Sequence, residues 1–255
     1  MRVWCRAYWA AKESCTDDEY EDAYAWWPRG RQLDGVIGDR FNFAAADGAT
    51  ASSYSGLWAN QLVLGFVTGK LREDNLPEAL PLLSKRWQKK APKRTASWWA
   101  EQSLERGAFA ALVGLTLERN GTNAGAWSWR GLAVGDSCLV HMHEHNVVSF
   151  PIGRADQFGT TPILLSTNPS ALEAALVERK GISGLGVDGD RFYLMTDALA
   201  QWFLRESERG DEPWYALEDF VRDPDAPPFR EWLTDLRRAG RIRNDDVTLV
   251  RIEVE

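Results

Sequence analysis

The sequence predicts a mixed α and β protein in which layers of sheet are covered by helices. Three observations lead there. Runs that alternate as strands do stand near both ends of the chain, VWCRAYWA at Val3–Ala10 and VTLVRIEV at Val247–Val254. Segments with apolar residues at helical spacing lie between them, and further short strand-like runs are interspersed with those helices.

In chain order, a second strand is expected at Asp22–Trp27, after the acidic stretch Asp17–Asp22. A third strand region, Val36–Ala46, runs straight into Asp47-Gly48. From Ser53 to Lys70, Trp58, Leu62, Val63, Phe66 and Val67 recur at helical spacing. A second helix covers Leu76–Lys89, entered through Pro77 in its first turn. Lys89–Arg94 is a basic, proline-broken loop, and Ser97–Glu105 resumes as helix. Ala108–Glu118 (AFAALVGLTLE) reads as helix or strand on periodicity alone. After a turn at Asn120–Gly125, WSWRGLAVGDSCLVHM alternates as strands do, and His145–Phe150 completes a hairpin. Helices follow at Pro169–Arg179, Asp197–Glu208 and Pro228–Ala239, with strands at Arg191–Met195 and Val247–Val254. One domain over residues 1–255 is expected, since no composition shift or linker divides the chain.

An apolar share of 44% with 26% charged residues is that of an ordinary globular chain, so a packed core is expected rather than disorder. No apolar run approaches the roughly 20 residues of a membrane span. The N-terminus lacks the apolar core of a signal peptide, and three widely spaced cysteines (Cys5, Cys15, Cys138) suggest neither disulfides nor a thiolate cage. A cytoplasmic protein is expected. The net charge of −7 disfavours nucleic acid as a partner, and part of that excess suits a site built to hold divalent cations.

Acidic residues recur where strands meet loops: Glu21-Asp22, Asp47, Asp197 and Asp245-Asp246. Strand ends are rigid points from which distant side chains converge. Mg²⁺ and Mn²⁺ prefer carboxylate, carbonyl and water ligands, and Gly48 lets the backbone come close enough for its carbonyl to serve. Spacing alone does not separate this from the commoner use of a strand-terminal Asp as turn former or helix cap.

The order of these segments carries a resemblance. Glu19-Tyr20-Glu21-Asp22-Ala23, Ala46-Asp47-Gly48-Ala49, Ala133-Val134-Gly135-Asp136-Ser137, Leu194-Met195-Thr196-Asp197 and Asn244-Asp245-Asp246-Val247-Thr248 resemble, in sequence, five motifs of the metal-dependent protein phosphatases of the type 2C class, most closely a bacterial subgroup. The resemblance spans Glu19–Val254. It implies an α+β fold of four layers, an α-β-β-α sandwich with two antiparallel sheets and helices outside. It implies a protein serine/threonine phosphatase with two Mn²⁺ or Mg²⁺ ions. Asp47 would bridge them, Asp197 and Asp245 would complete the first site, and the Gly48 carbonyl would join the second, with Asp22 and Glu21 acting through water. The ions would activate a water for in-line attack on phosphorus. The implied partners are a phosphorylated protein substrate and a kinase that the enzyme opposes.

Departures from the family pattern are also legible. The phosphate-binding arginine expected five residues before Asp22 is Asp17, leaving Lys12 or Arg6 as candidate replacements. A histidine found after the second motif in many members is Ala49. The residue after Asp197 is Ala198, and the acid expected four positions on is Gln201, so Asp136 lacks its partner at a third metal position. Two other classes stay open on this reading: a non-catalytic phosphoprotein-binding domain, and a small-molecule phosphoesterase.

Other signals carry less. His141, His143 and His145 would all point to one side of a strand, at about 6.8 Å steps, and read as an exposed hairpin edge. Gly184–Gly189 satisfies G-x-G-x-x-G but precedes a strand, the wrong setting for a dinucleotide. Asn120-Gly121-Thr122 is a sequon that matters only after secretion. Trp26-Trp27 and Trp98-Trp99 read as packing, and Cys138 as a core residue.

Overall fold

In a computed structural model of the chain, residues 1–50, 54–91, 107–119, 126–159, 161–222 and 228–255 are described. Twelve strands occur among them: β1 (Arg2–Ala10), β2 (Ala23–Trp27), β3 (Leu33–Ile37), β4 (Arg40–Gly48), β5 (Phe109–Arg119), β6 (Trp127–Val134), β7 (Cys138–His143), β8 (Asn146–Phe150), β9 (Leu165–Ser166), β10 (Lys180–Gly186), β11 (Arg191–Met195) and β12 (Val247–Val254). The helices are α1 (Ser55–Val67), α2 (Leu76–Lys90), α3 (Leu172–Glu178), α4 (Asp197–Glu208), α5 (Pro213–Arg222) and α6 (Phe229–Arg238).

The strands form two antiparallel sheets, β3-β1-β12-β11-β7-β8 and β10-β6-β5-β4-β2, with β9 against β5. Three apolar layers hold the stack together. Alternation along β4 sends Phe41, Phe43 and Ala45 between the sheets, where they meet Val250, Ile252, Phe192 and Leu194. Ala44 and Ala46 face the other way, onto Trp58, Leu62 and Phe66 of α1. On the far side, Val140, Tyr193 and Leu249 pack beneath Phe203, Leu217 and Leu233 of α4, α5 and α6. The order of layers is therefore helix, sheet, sheet, helix, as the resemblance implied. Among the described residues no helix is long and apolar enough to cross a membrane.

Several expectations change. The single strand over Val36–Ala46 is two strands in different sheets, with the chain crossing over at Gly38-Asp39. Ala108–Glu118 resolves as β5, which is buried on both faces between α1 and the other sheet, so its apolar residues do not alternate. The histidines are not an exposed edge. β7 lies inside its sheet, where His141 stacks on Phe192, and His141 Nε2 and His143 Nδ1 bracket the buried Asp190 Oδ1 at 3.1 and 3.0 Å; His145 alone is exposed, at the hairpin corner. The helix at Ser97–Glu105, the turn and sequon at Asn120–Gly125, Trp98-Trp99, and the end of the basic loop lie outside the described residues.

Candidate metal centre

Asp47 is the next inward-facing position after Phe41, Phe43 and Ala45, so the pleat that buries the β4 aromatics also aims its carboxylate at the mouth between the sheets. Asp22 stands in the same relation to Tyr24 and Trp26 of β2. Asp197 opens α4 immediately after β11, and Asp136 sits in the tight turn joining β6 to β7, where Gly135 adopts φ +97°. Carboxylate oxygens of Asp47, Asp136 and Asp197 all lie within 4.8 Å of one another.

Burial pushes the Asp22 and Asp47 carboxyls well above their ordinary value, and neighbouring carboxylates add to the effect. Asp136 is pushed up to about 6, by burial first and then by Asp197. Asp245 is raised for the same reasons, with Arg243 working against them. Asp22 Oδ2 accepts a hydrogen bond from Thr248 Oγ1 at 2.8 Å. Asp22 Oδ1 and Asp197 Oδ1 are buried with no hydrogen-bond partner among the described residues. Unpaired buried oxygens in an all-oxygen cluster of like charges fit a hard divalent cation, which would supply the missing countercharge.

The remaining predicted residues take distinct places. Gly48 lies so close to the loop before β2 that a Cβ would come within 2.5 Å of the Glu21 carbonyl oxygen and 2.9 Å of the Ser55 carbonyl carbon. Glu21 accepts a hydrogen bond from Ser55 Oγ and faces Lys12 Nζ at 3.7 Å. Asp245 lies at the rim, outside the 4.8 Å group, and its Oδ1 accepts the Asp246 N–H at 3.0 Å. Asp246 is a structural tie: it accepts the N–H groups of Lys12 at 2.9 Å and Glu21 at 2.7 Å, joining two distant loops to the start of β12.

Of the candidate cations, Lys12 reaches the rim, whereas Arg6 is exposed midway along β1, paired in register with Arg251. Asp17 is gripped by Arg230, with Nη1 and Nη2 at 3.0 and 3.2 Å from its two oxygens, and that guanidinium lies 4.5 Å over the Trp9 ring. Sequence reasoning missed Arg243, which bonds Asp197 Oδ2 through Nη2 and places Nε 3.4 Å from Asp245 Oδ2. The available signal was a cation two residues before Asp245.

Two outcomes follow from this geometry. Gly48→Ala should force the Glu21 loop and the start of α1 apart and weaken Mn²⁺ binding roughly tenfold in calorimetric titration, the scale of lost support around a metal ligand. The second concerns pH. The Asp136 value rises from 3.8 unfolded to about 6 folded, so its contribution to stability is full below 3.8 and is lost as pH climbs through about 6. Asp22 and Asp47 shift in the same direction. The metal-free protein should therefore melt at a lower temperature at pH 7.5 than at pH 5, as read by differential scanning fluorimetry. The gain in melting temperature on adding Mn²⁺ should be larger at the higher pH.

No protein-family model matches the chain, and no curated protein does. Solved structures do match over essentially the full length. The Mycobacterium tuberculosis serine/threonine phosphatase PstP/Ppp is 15% identical with a TM-score of 0.55, covering 100% of both chains. The catalytic domain of PstP in complex with two manganese ions is 16% identical with a TM-score of 0.52, covering 99% of both chains. RsbX in complex with magnesium is 14% identical with a TM-score of 0.50, covering 100% of this chain and 96% of that one. At such identities the likeness is one of fold, and the chain has the type 2C phosphatase fold.

Proposed function

We propose that this chain is a metal-dependent protein serine/threonine phosphatase, acting as one catalytic domain. The observation that carries the reading is the convergence of Asp47, Asp136 and Asp197 at one mouth of the sandwich, beside the buried and unpaired Asp22 Oδ1. Among fold-related chains, the serine/threonine phosphatase PstP holds manganese and RsbX holds magnesium.

Asp47 would be shared by two ions, with Asp197 and Asp245 serving the first position. The Gly48 carbonyl, and Asp22 and Glu21 through water, would serve the second. Asp136 would serve a third position, where Gln201 stands in place of the acid that the family pattern expects. Bound in this cluster, Mn²⁺ or Mg²⁺ would supply a hydroxide-like nucleophile at neutral pH and a countercharge for the phosphoryl group. Asp47, Asp136 and Asp197 converge before substrate arrives, so little reorganisation is needed at the moment of reaction. Thr248 holds Asp22 through Oδ2, leaving Oδ1 buried and without a hydrogen-bond partner among the described residues. The substrate class is a phosphoserine or phosphothreonine protein, and an opposing kinase is the corresponding partner.

The test is hydrolysis of an aryl phosphate and of phosphopeptides with added Mn²⁺, for wild type and Asp197→Asn. Mn²⁺-dependent turnover that a chelator abolishes and the variant lacks supports the proposal. A wild type that binds Mn²⁺ yet turns over none of these substrates faster than Asp197→Asn would overturn it in favour of a phosphoprotein-binding domain. Preference for small phosphoesters over phosphopeptides would move the substrate class.

A further inference from the structure

We propose that Arg243 is the residue that receives the substrate phosphate. On this proposal Asp197 and Asp245 hold its guanidinium in reserve until divalent cations claim those carboxylates. The inference rests on the phosphatase reading and assigns the anion-binding residue of that same site.

The first ground is a comparison of Arg243 with four other described positions near the mouth, Asp17, Arg230, Lys12 and Arg237. The position where the family resemblance places a phosphate-binding arginine is Asp17, an anion already engaged by both Nη atoms of Arg230. Arg230 is itself committed to that pair and to the Trp9 ring. Lys12 Nζ lies between Thr50 Oγ1 at 3.3 Å and Glu21 at 3.7 Å. Arg237 is a structural brace, because its Nη groups donate to the backbone carbonyls of Ala11 and Asp245. Arg243 differs from all of these. Among the described residues its polar contacts are two carboxylates of the proposed metal centre, with no backbone anchor, and 42% of its side chain is exposed.

The second ground is charge. A phosphoryl dianion cannot approach Asp22, Asp47, Asp136, Asp197 and Asp245 while their charges are uncompensated. The condition that admits it, cations on Asp197 and Asp245, is also the condition that weakens their hold on the guanidinium. Arg243 is then a charged fork at the rim beside the arriving phosphoryl group, and its paired N–H donors match two phosphate oxygens. Gly240, at φ +64° just after α6, opens the short loop that carries Arg243 to this rim.

This arrangement gives opposite signs for two equilibria. Removing Arg243 takes away a competitor of the metal and a ligand of the phosphate at once. Mn²⁺ titration calorimetry on wild type, Arg243→Ala and Arg243→Lys reads the first, and inorganic phosphate titrated into the Mn²⁺-saturated proteins reads the second. Arg243→Ala should bind Mn²⁺ as tightly as wild type or several-fold more tightly. It should bind phosphate roughly tenfold or more weakly, the scale of lost charge-assisted hydrogen bonds, and Arg243→Lys should fall between. With an aryl phosphate, KM should rise by a similar factor while kcat changes less.

Weaker Mn²⁺ binding by Arg243→Ala would overturn the proposal, since it would make Arg243 a residue that orients metal ligands. Unchanged phosphate affinity, or no phosphate binding to Mn²⁺-loaded wild type, would also overturn it. Because the phosphate titration needs no turnover, failure of the phosphatase reading and failure of this proposal are read separately.

Discussion

Asp47→Asn is expected to lower Mn²⁺-dependent phosphatase turnover by at least about 4 kcal/mol of transition-state stabilisation, roughly a thousandfold. The reasoning is positional. Asp47 ends an inward-facing row whose other members are fully buried, so it has little freedom to be replaced by a neighbour, and its oxygens lie within 4.8 Å of those of both Asp136 and Asp197. The same variant should be more stable than wild type without metal. Burial and adjacent carboxylates disfavour the Asp47 charge in the folded state, and asparagine removes that charge at almost unchanged volume. Mn²⁺ should then raise the melting temperature of wild type strongly and of Asp47→Asn weakly. A variant that keeps turnover within about tenfold of wild type, or that is destabilised without metal, would contradict this account.

Arg251→Met is expected to cost about 3–5 kcal/mol of stability, the usual result of stripping one partner from a buried ion pair. Arg251 is only 3% exposed on β12, where Nε donates to Glu218 Oε1 at 2.8 Å and Nη2 donates to Glu253 Oε2 at 2.8 Å. The Tyr193 hydroxyl also donates to Glu218 Oε1, at 2.7 Å. Without Arg251, the buried Glu218 carboxylate keeps the Tyr193 hydroxyl and Arg191 Nη1 at 3.9 Å but loses its paired guanidinium on β12. The readout is the urea midpoint, which should fall with little change in slope. Arg251→Met combined with Glu218→Leu should recover much of the loss, because two apolar side chains replace two desolvated charges. If the double variant is no more stable than the single, the cost lies in packing and not in the lost ion pair.

The inner rows of the strands made much of the candidate centre legible. Asp22 and Asp47 continue the alternation of aromatic and small residues that marks β2 and β4, and Asp197 follows a clean strand directly. β10 escaped because its glycines read as loop. They are glycines because tryptophans lie over them: a Cβ at Gly184 would meet Trp129 at 2.7 Å, and one at Gly186 would meet Trp127 at 2.0 Å. That packing also accounts for the G-x-G-x-x-G pattern without any nucleotide. α5 is a short segment whose burial depends on the sheet beneath it, and β5 is ambiguous because both its faces are covered. Neither the Arg230–Asp17 pair nor the Arg243–Asp197 pair could be read from sequence. Their members are 213 and 46 residues apart, and tertiary path alone brings them together.

The sheet order β3-β1-β12-β11 has a consequence for when this chain becomes competent. β12 pairs with β1 on one side and β11 on the other, from Val3↔Val254 to Ala10↔Val247 and from Arg191↔Glu253 to Met195↔Leu249. During synthesis, everything up to Arg243 can leave the ribosome while this sheet remains in two pieces, with β1 and β11 presenting open edges. Asp245, the Asp246 tie and the Thr248 hydroxyl that fixes Asp22 arrive with that last strand. Closure of the sheet and completion of the carboxylate cluster therefore become a single event, set by the pairing of β12.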